Sequence, residues 1–81
     1  MSADLLEYLA RGLVDEPDAV RVDREERDDG VVVLRLHVAP DDVGKVIGRQ
    51  GRIARALRTV IRASASRSHE RITVEIADNG E

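Results

Sequence analysis

The run Val43-Gly44-Lys45-Val46-Ile47-Gly48-Arg49-Gln50-Gly51-Arg52-Ile53 combines glycine and cation at a spacing that suits anion binding. Val46 and Ile47 lead into Gly48-Arg49-Gln50-Gly51, and Ile53 follows at once. Glycine at both ends of a four-residue loop lets the backbone take positive φ and lets another backbone come close with no Cβ between them. With a helix on either side, the second helix starts with free N–H groups that point out of the loop and attract anions. The simplest ligand for such a place is a phosphate.

The cations are unevenly spread. The chain has 13 Lys and Arg against 16 Asp and Glu, a formal net charge of −3. Residues 43–69 nevertheless carry seven basic residues (Lys45, Arg49, Arg52, Arg55, Arg58, Arg62 and Arg67) and no acid. The fold therefore presents a basic element on an acidic body, and that distribution matters more than the sum. All but one of the basic residues are Arg, whose planar fork suits bidentate phosphate and base contacts.

Two common phosphate loops do not fit. A dinucleotide loop needs G-x-G-x-x-G directly after a strand, and here the first Gly-x-Gly is missing and a helix precedes the loop. A nucleoside-triphosphate loop needs Lys and then Ser or Thr after its last Gly, whereas Gly51 is followed by Arg52 and Ile53. What remains is helix–G-x-x-G–helix with cations on both sides.

The elements that must position this loop are legible from periodicity. Ser2 is placed to cap a helix over about residues 3–14, with Leu5, Leu6, Leu9 and Leu13 on one stripe. Val20 and Val22 alternate with Arg21 and Asp23 as a half-buried strand, whose charged end, Arg24-Glu25-Glu26-Arg27, is expected to leave the sheet. Asp28-Asp29-Gly30 is turn chemistry. Residues 31–38 are β-branched and almost continuously apolar, with Arg35 and His37 facing out, and should pair with the first strand as an antiparallel hairpin. Pro40, Asp41 and Asp42 are helix-start chemistry for a short helix over about residues 40–47. A second helix over about residues 51–65 has Ile53, Ala54, Leu57, Val60 and Ile61 on one face and Arg52, Arg55, Arg58 and Arg62 on the other, with Ser64 to Ser68 fraying into a loop. Ile72, Val74 and Ile76 alternate in a last strand.

The order is α-β-β-α-α-β. The strand-helix-helix-strand crossover puts both helices on one face of a three-stranded sheet, and the first helix joins them in a two-layer α+β domain. The sheet's other face is left open or used by a partner. The 81 residues make one domain, with its core over about residues 3–77 and a loose acidic tail at 78–81. There is no Cys, Phe or Trp, and Tyr8 is the one aromatic residue. A disulfide framework and thiolate metal sites are thereby excluded, and a small aliphatic core of this kind gains from self-association or a partner. No apolar run approaches the roughly 20 residues that span a bilayer, and the acidic start is unlike a signal peptide. The expected setting is the cytoplasm, away from membranes.

The pattern Val46-Ile47-Gly48-Arg49-Gln50-Gly51-Arg52-Ile53 resembles the K-homology (KH) domain, although Ile53 arrives one residue earlier than the family's Gly-x-x-Gly-x-x-Ile spacing sets it. The element order is similar to the type II, bacterial arrangement, and the resemblance covers about residues 5–76. The length and the Gly-Lys-Val-Ile-Gly-Arg-Gln-Gly-Arg-Ile run look most like the small bacterial single-KH RNA-binding proteins of the KhpA family. That resemblance implies a non-catalytic chain that holds single-stranded RNA, with a role as an RNA chaperone or post-transcriptional regulator. It implies a loop that grips the backbone of about four nucleotides, with bases on an aliphatic groove. On that reading Gly48 and Gly51 shape the loop, Arg49 and Gln50 reach phosphates, and Lys45 and Arg52 flank the strand. Val46, Ile47 and Ile53 wall the groove or pack beneath it, and Arg55 adds a further cation. It also implies a homodimer or pairing with a second KH protein of the KhpB (Jag) kind. Lack of a stacking aromatic implies weak, sequence-tolerant binding per domain, since stacking contributes about 1–3 kcal/mol per base.

Plainer readings stand beside these. Arg58 and Arg62 read equally as a solvated helix face or as ligand surface. His37 and His69 have no partner at ligand spacing and read as solvated residues. Asp28 and Asp29 belong to a turn, and Asp41 and Asp42 to a helix start. No metal, no cofactor and no nucleophile–base pair is expected.

Overall fold

A computed structural model describes residues 2–77; the acidic stretch at 78–81 lies outside the described residues. Helix α1 (Ser2–Arg11) precedes the hairpin of β1 (Arg21–Glu26) and β2 (Val31–His37). A 3₁₀ turn at Pro40–Asp42 leads into α2 (Val43–Ile47), and a tight turn at Arg49–Gly51 leads into α3 (Arg52–Arg67) and β3 (Arg71–Ile76). The sheet order is β1-β2-β3, with β1 and β2 antiparallel and β2 and β3 parallel. This is the two-layer α+β arrangement expected above.

Register decides which side of the sheet is apolar. Val22, Leu36 and Ile76 lie side by side across the strands, as do Leu34 with Val74 and Val32 with Ile72. These face the helices, because side chains alternate along a strand with a period of two. Leu6 and Ala10 of α1, Val46 of α2, and Ala54, Leu57, Ile61 and Ala65 of α3 close the core against them. Each fully buried Leu, Ile or Val contributes about 1.5–3 kcal/mol relative to exposure. Asp29 Oδ1 accepts the Val31 N–H at 3.0 Å in the hairpin turn, where Gly30 takes φ +86°.

Four local expectations are corrected. Ser2 is not a cap but the first residue of α1; it is buried, and its hydroxyl lies 3.5 Å from that of Ser64. Helix α1 ends at Arg11, so Leu13 leaves the buried stripe and is exposed. Helix α3 does not fray at Ser64: Ala65, one turn beyond Ile61, is still in the core, and packing carries the helix to Arg67. The charged end of β1 stays in the ladder, with Arg24 opposite Leu34 and Glu26 opposite Val32. Arg24 and Glu26 are exposed there, so their charges remain in water.

The sheet's second face carries a lattice of hydrogen bonds and ion pairs. His37 Nε2 meets Asp23 at 2.8 Å, Arg35 reaches both Glu25 (3.6 Å) and Glu75 (3.2 Å), and Arg27 approaches Glu75 at 3.8 Å. Val33 sits in the middle of this face and is fully buried. The aliphatic stems of long charged side chains can shield such a residue while their heads stay wet. Each exposed pair is worth only about 0.2–1 kcal/mol.

Candidate nucleic-acid interface

The loop at 48–51 is shaped by backbone conformations that few residues adopt. Helix α2 stops because Gly48 turns to φ 77°, ψ 172°, while its N–H still bonds the Gly44 carbonyl at 2.9 Å. Gln50 (φ 57°) and Gly51 (φ 74°) are both left-handed, and the Gly51 N–H closes onto the Gly48 carbonyl at 3.1 Å. A left-handed Gln costs roughly 1–2 kcal/mol, so Gln50 holds stored strain. A Cβ at Gly48 would lie 2.7 Å from Ile53 Cγ1, so Ile53 seals the loop from below. A Cβ at Gly51 would meet nothing within 4 Å.

Helix α3 then starts without a side-chain cap, and the Arg52 N–H is taken up by the Arg49 carbonyl of the turn before it. Sixteen residues of aligned peptide dipoles put partial positive charge at that end. The chemistry of this corner is therefore anion binding by backbone N–H and guanidinium groups.

The structure brings together most of the residues singled out above. Arg49, Gln50, Arg52 and Arg55 are exposed at the loop and the start of α3. Among the described residues the side chains of Arg49, Arg55 and Arg62 have no polar partner, and Arg52 touches only Gln50 Oε1, at 3.4 Å. Ile47 stands half exposed beside the loop, whereas Val46 points into the core and Ile53 packs under Gly48. Arg58 differs from the rest of its stripe: its Nε donates to the Val74 carbonyl of the edge strand β3 at 3.2 Å. Among the described residues no group of three or more His, Cys, Asp or Glu is placed to hold a metal ion, and no helix is long and apolar enough to cross a membrane.

Lys45 is engaged elsewhere in the fold. Its Nζ donates to Asp15 at 2.9 Å and to Asp42 at 3.2 Å, and both bonds raise its pKa above 10.5. Asp42, at 1% exposure, is the polar anchor that the sequence did not disclose; helix-start chemistry seemed to account for it. Burial pushes its pKa up, but backbone N–H groups of Asp15 and Glu16, together with Lys45, outweigh that and hold it below 3.8. A carboxyl whose pKa is depressed by folding stabilises the fold above its unfolded value and loses that contribution as pH falls through the folded value. Asp42→Asn is therefore expected to lower the thermal midpoint at neutral pH. It should also flatten the fall in midpoint that the parent shows below pH 3.8, in melts followed by circular dichroism.

Gly44 is a second residue that sequence reasoning passed over. It lies on the exposed face of α2, one turn before Gly48, and a Cβ there would meet nothing within 4 Å. The signal was a glycine inside a short helix, where it weakens the helix with no gain in packing. Between α1 and α3, Leu9, Leu13, Ile53, Ala56, Leu57 and Val60 line an apolar groove of about 390 Å³, with Arg52 at its rim.

Comparison with known proteins identifies the family. Residues 3–76 match the family model described as KhpA/KhpB, KH domain. The chain is 54% identical over 72 residues to the RNA-binding protein KhpA of Clostridium acetobutylicum, covering 89% of this chain and 95% of that one. It is 51% identical over 78 residues to the KhpA of Treponema pallidum, covering 96% of each. It is also similar to the KhpA of Bacillus subtilis, at 47% over 75 residues, covering 93% of this chain and 91% of that one. Among solved structures, Era in complex with MgGDPNP and nucleotides 1506–1542 of 16S ribosomal RNA superposes with a TM-score of 0.63. That match covers 93% of this chain but only 28% of the longer protein, and at 16% identity it shows the fold alone. With the helix–G-x-x-G–helix corner, the α-β-β-α-α-β order and the match over residues 3–76 in agreement, the chain belongs to the KhpA/KhpB family of KH-domain proteins.

Proposed function

We propose that this chain is a non-catalytic, single-stranded RNA-binding protein of the bacterial cytoplasm that acts as an RNA chaperone or post-transcriptional regulator. The observation that carries the reading is the exposed, strained loop at 48–51, with unpartnered Arg49 beside it and the uncapped N-terminus of α3 behind it. Relatives that share about half of its residues are named RNA-binding proteins, which supports RNA as the ligand class. The loop clamps the backbone of about four nucleotides. Arg49, Gln50, Arg52 and Arg55 meet phosphates, Gly48 and Gly51 set the loop, and Lys45 stands at its flank. Ile47 and the apolar residues near it, Val46 and Ile53 beneath, form the side on which bases rest.

Phosphate contacts release counterions, so affinity for a short single-stranded RNA should fall linearly on a log–log plot against salt. The slope should be about −0.7 per phosphate neutralised. Fluorescence anisotropy over a potassium chloride series measures it, and binding indifferent to salt would contradict the reading.

Gly44 adds a test in which stability and binding move in opposite directions. Alanine at this helical site should raise stability by about 0.5–1 kcal/mol, because glycine weakens a helix and nothing blocks the new Cβ. If RNA approaches α2 closely, the same change should weaken binding. Urea melts and the anisotropy titration read the two effects separately.

A second reading, self-association or pairing with another KH protein, is favoured by the apolar groove between α1 and α3 and by Tyr8, which is 74% exposed nearby. Light scattering across a concentration series tests it. Two weak sites held in one dimer would raise affinity by avidity, so the two readings are compatible.

A further inference from the structure

Helix α2 has five residues, too few to hold its place without tertiary anchors. Two anchors set its rotation. Val46 enters the core on one side, fully buried. Asp42, just before the helix, is buried as well, and its two oxygens are divided between different partners. Oδ2 accepts the backbone N–H of Glu16 at 3.1 Å, and Oδ1 accepts Lys45 Nζ at 3.2 Å. Lys45 reaches on to Asp15 at 2.9 Å. The connector between α1 and β1 is thus tied to the short helix that leads into the loop. With Val46 and Asp42 held inward, Gly44 and Ile47 are left on the exposed side, and Gly48 continues directly from them.

Charge alone argues against this arrangement. Two carboxylates at the start of α2, the helix that leads into the anion site, add repulsion at longer range, and one Lys does not offset both. A site selected only for attraction would lack them. We propose that Asp42 and Lys45 are positioning residues for the loop, a clamp that fixes the rotation of α2, and that Lys45 acts through this clamp rather than as a phosphate ligand. This rests on the RNA reading above and refines it.

The test uses the full chain, a short fluorescein-labelled single-stranded RNA of mixed sequence, and the variants Asp42→Asn and Lys45→Met, all well below their unfolding midpoints. In Asp42→Asn one amide oxygen can serve either Glu16 or Lys45 but not both, and the new NH₂ faces a donor. Simple electrostatics predicts unchanged or tighter binding when an acid at the start of the helix leading into the site is removed. The clamp predicts weaker binding, by about fivefold. For Lys45→Met the clamp predicts a similar loss with the salt slope unchanged, whereas loss of a phosphate ligand would make the slope shallower by about 0.7. The double variant should lose no more than the worse single variant, because both changes open one clamp. Unchanged or tighter binding of Asp42→Asn, or a shallower slope for Lys45→Met, overturns the proposal. If Asp42→Asn does not fold, Lys45→Met alone decides by its slope. Amide exchange of the free proteins separates this idea from the RNA reading. Should the parent bind no RNA, the RNA reading fails, and the clamp is supported by faster exchange of the Gly48 and Gly51 amides in either variant and overturned by unchanged exchange.

Discussion

Replacing Arg49 and Gln50 together by Asp should abolish RNA binding while leaving the fold intact. Both side chains are exposed, so neither substitution opens a cavity. Asp tolerates the left-handed backbone at position 50 better than most residues, and a carboxylate there can still meet Arg52. The charge change is −2 for Arg to Asp and −1 for Gln to Asp, which takes the formal net charge from −3 to −6. All of it falls at the mouth of the proposed phosphate site. A unit charge about 4 Å from a phosphate is worth about 1 kcal/mol in water and more where water is partly excluded. Three units against adjacent phosphates therefore remove about 3 kcal/mol or more, at least about a hundredfold in affinity. Anisotropy titration gives the affinity, and an unchanged circular dichroism spectrum and melt show that the fold is kept. A folded double variant that binds as tightly as the parent would remove the loop from the RNA site.

The second large effect is on stability. Gly48→Ala should destabilise the domain by about 2–6 kcal/mol, through two separable terms. Gly48 sits at φ 77°, ψ 172°, a conformation almost confined to glycine, which costs another residue about 1–3 kcal/mol. The new Cβ would also press on Ile53 at 2.7 Å, and overpacking typically costs a further 1–3 kcal/mol, roughly. Gly51→Ala carries only the first kind of penalty, about 1–2 kcal/mol, because nothing lies within 4 Å of its Cβ position. A domain of 81 residues has roughly 4–12 kcal/mol of stability in all, so Gly48→Ala should be marginally folded while Gly51→Ala is merely weakened. Urea titrations of both variants check the order. Combining Gly48→Ala with Ile53→Ala should show a favourable coupling, because the smaller side chain removes the 2.7 Å contact with Cγ1 but leaves the Cβ at 3.0 Å and the backbone strain. Equal costs at the two glycines would mean that the contact with Ile53 does not shape the loop.

Much of this architecture was written in local pattern. Alternation in Val20-Arg21-Val22 and in Ile72-Thr73-Val74 marked strands, and the spacing of Ile53, Leu57 and Ile61 marked a helix, because each period is set by the chain's own geometry. The glycines at 48 and 51 marked the loop for the same reason, since positive φ is a local demand. What stayed hidden depends on contacts between distant residues. Asp42 looks like any acid at a helix start, and only the fold reveals its bond to Glu16, 26 residues away. Lys45 looks like a free cation until Asp15, 30 residues away, is placed beside it. Ala65 and the serines around it look like a fraying end until β3 and α1 pack there. The charged end of β1 looked too polar for a sheet, yet ladder hydrogen bonds require only that its backbone be paired.

The role of the loop at 48–51 is tested most directly by an NMR titration of the ¹⁵N-labelled chain with a short single-stranded RNA, following every backbone amide. The amides of Gly44, Gly48, Arg49, Gln50, Gly51 and Arg52 should shift first and furthest, with smaller changes along the start of α3 and none at Asp23, Val33 or Glu75 on the opposite face of the sheet. Shifts confined to that charged face, or RNA that binds while the loop amides stay still, would contradict it.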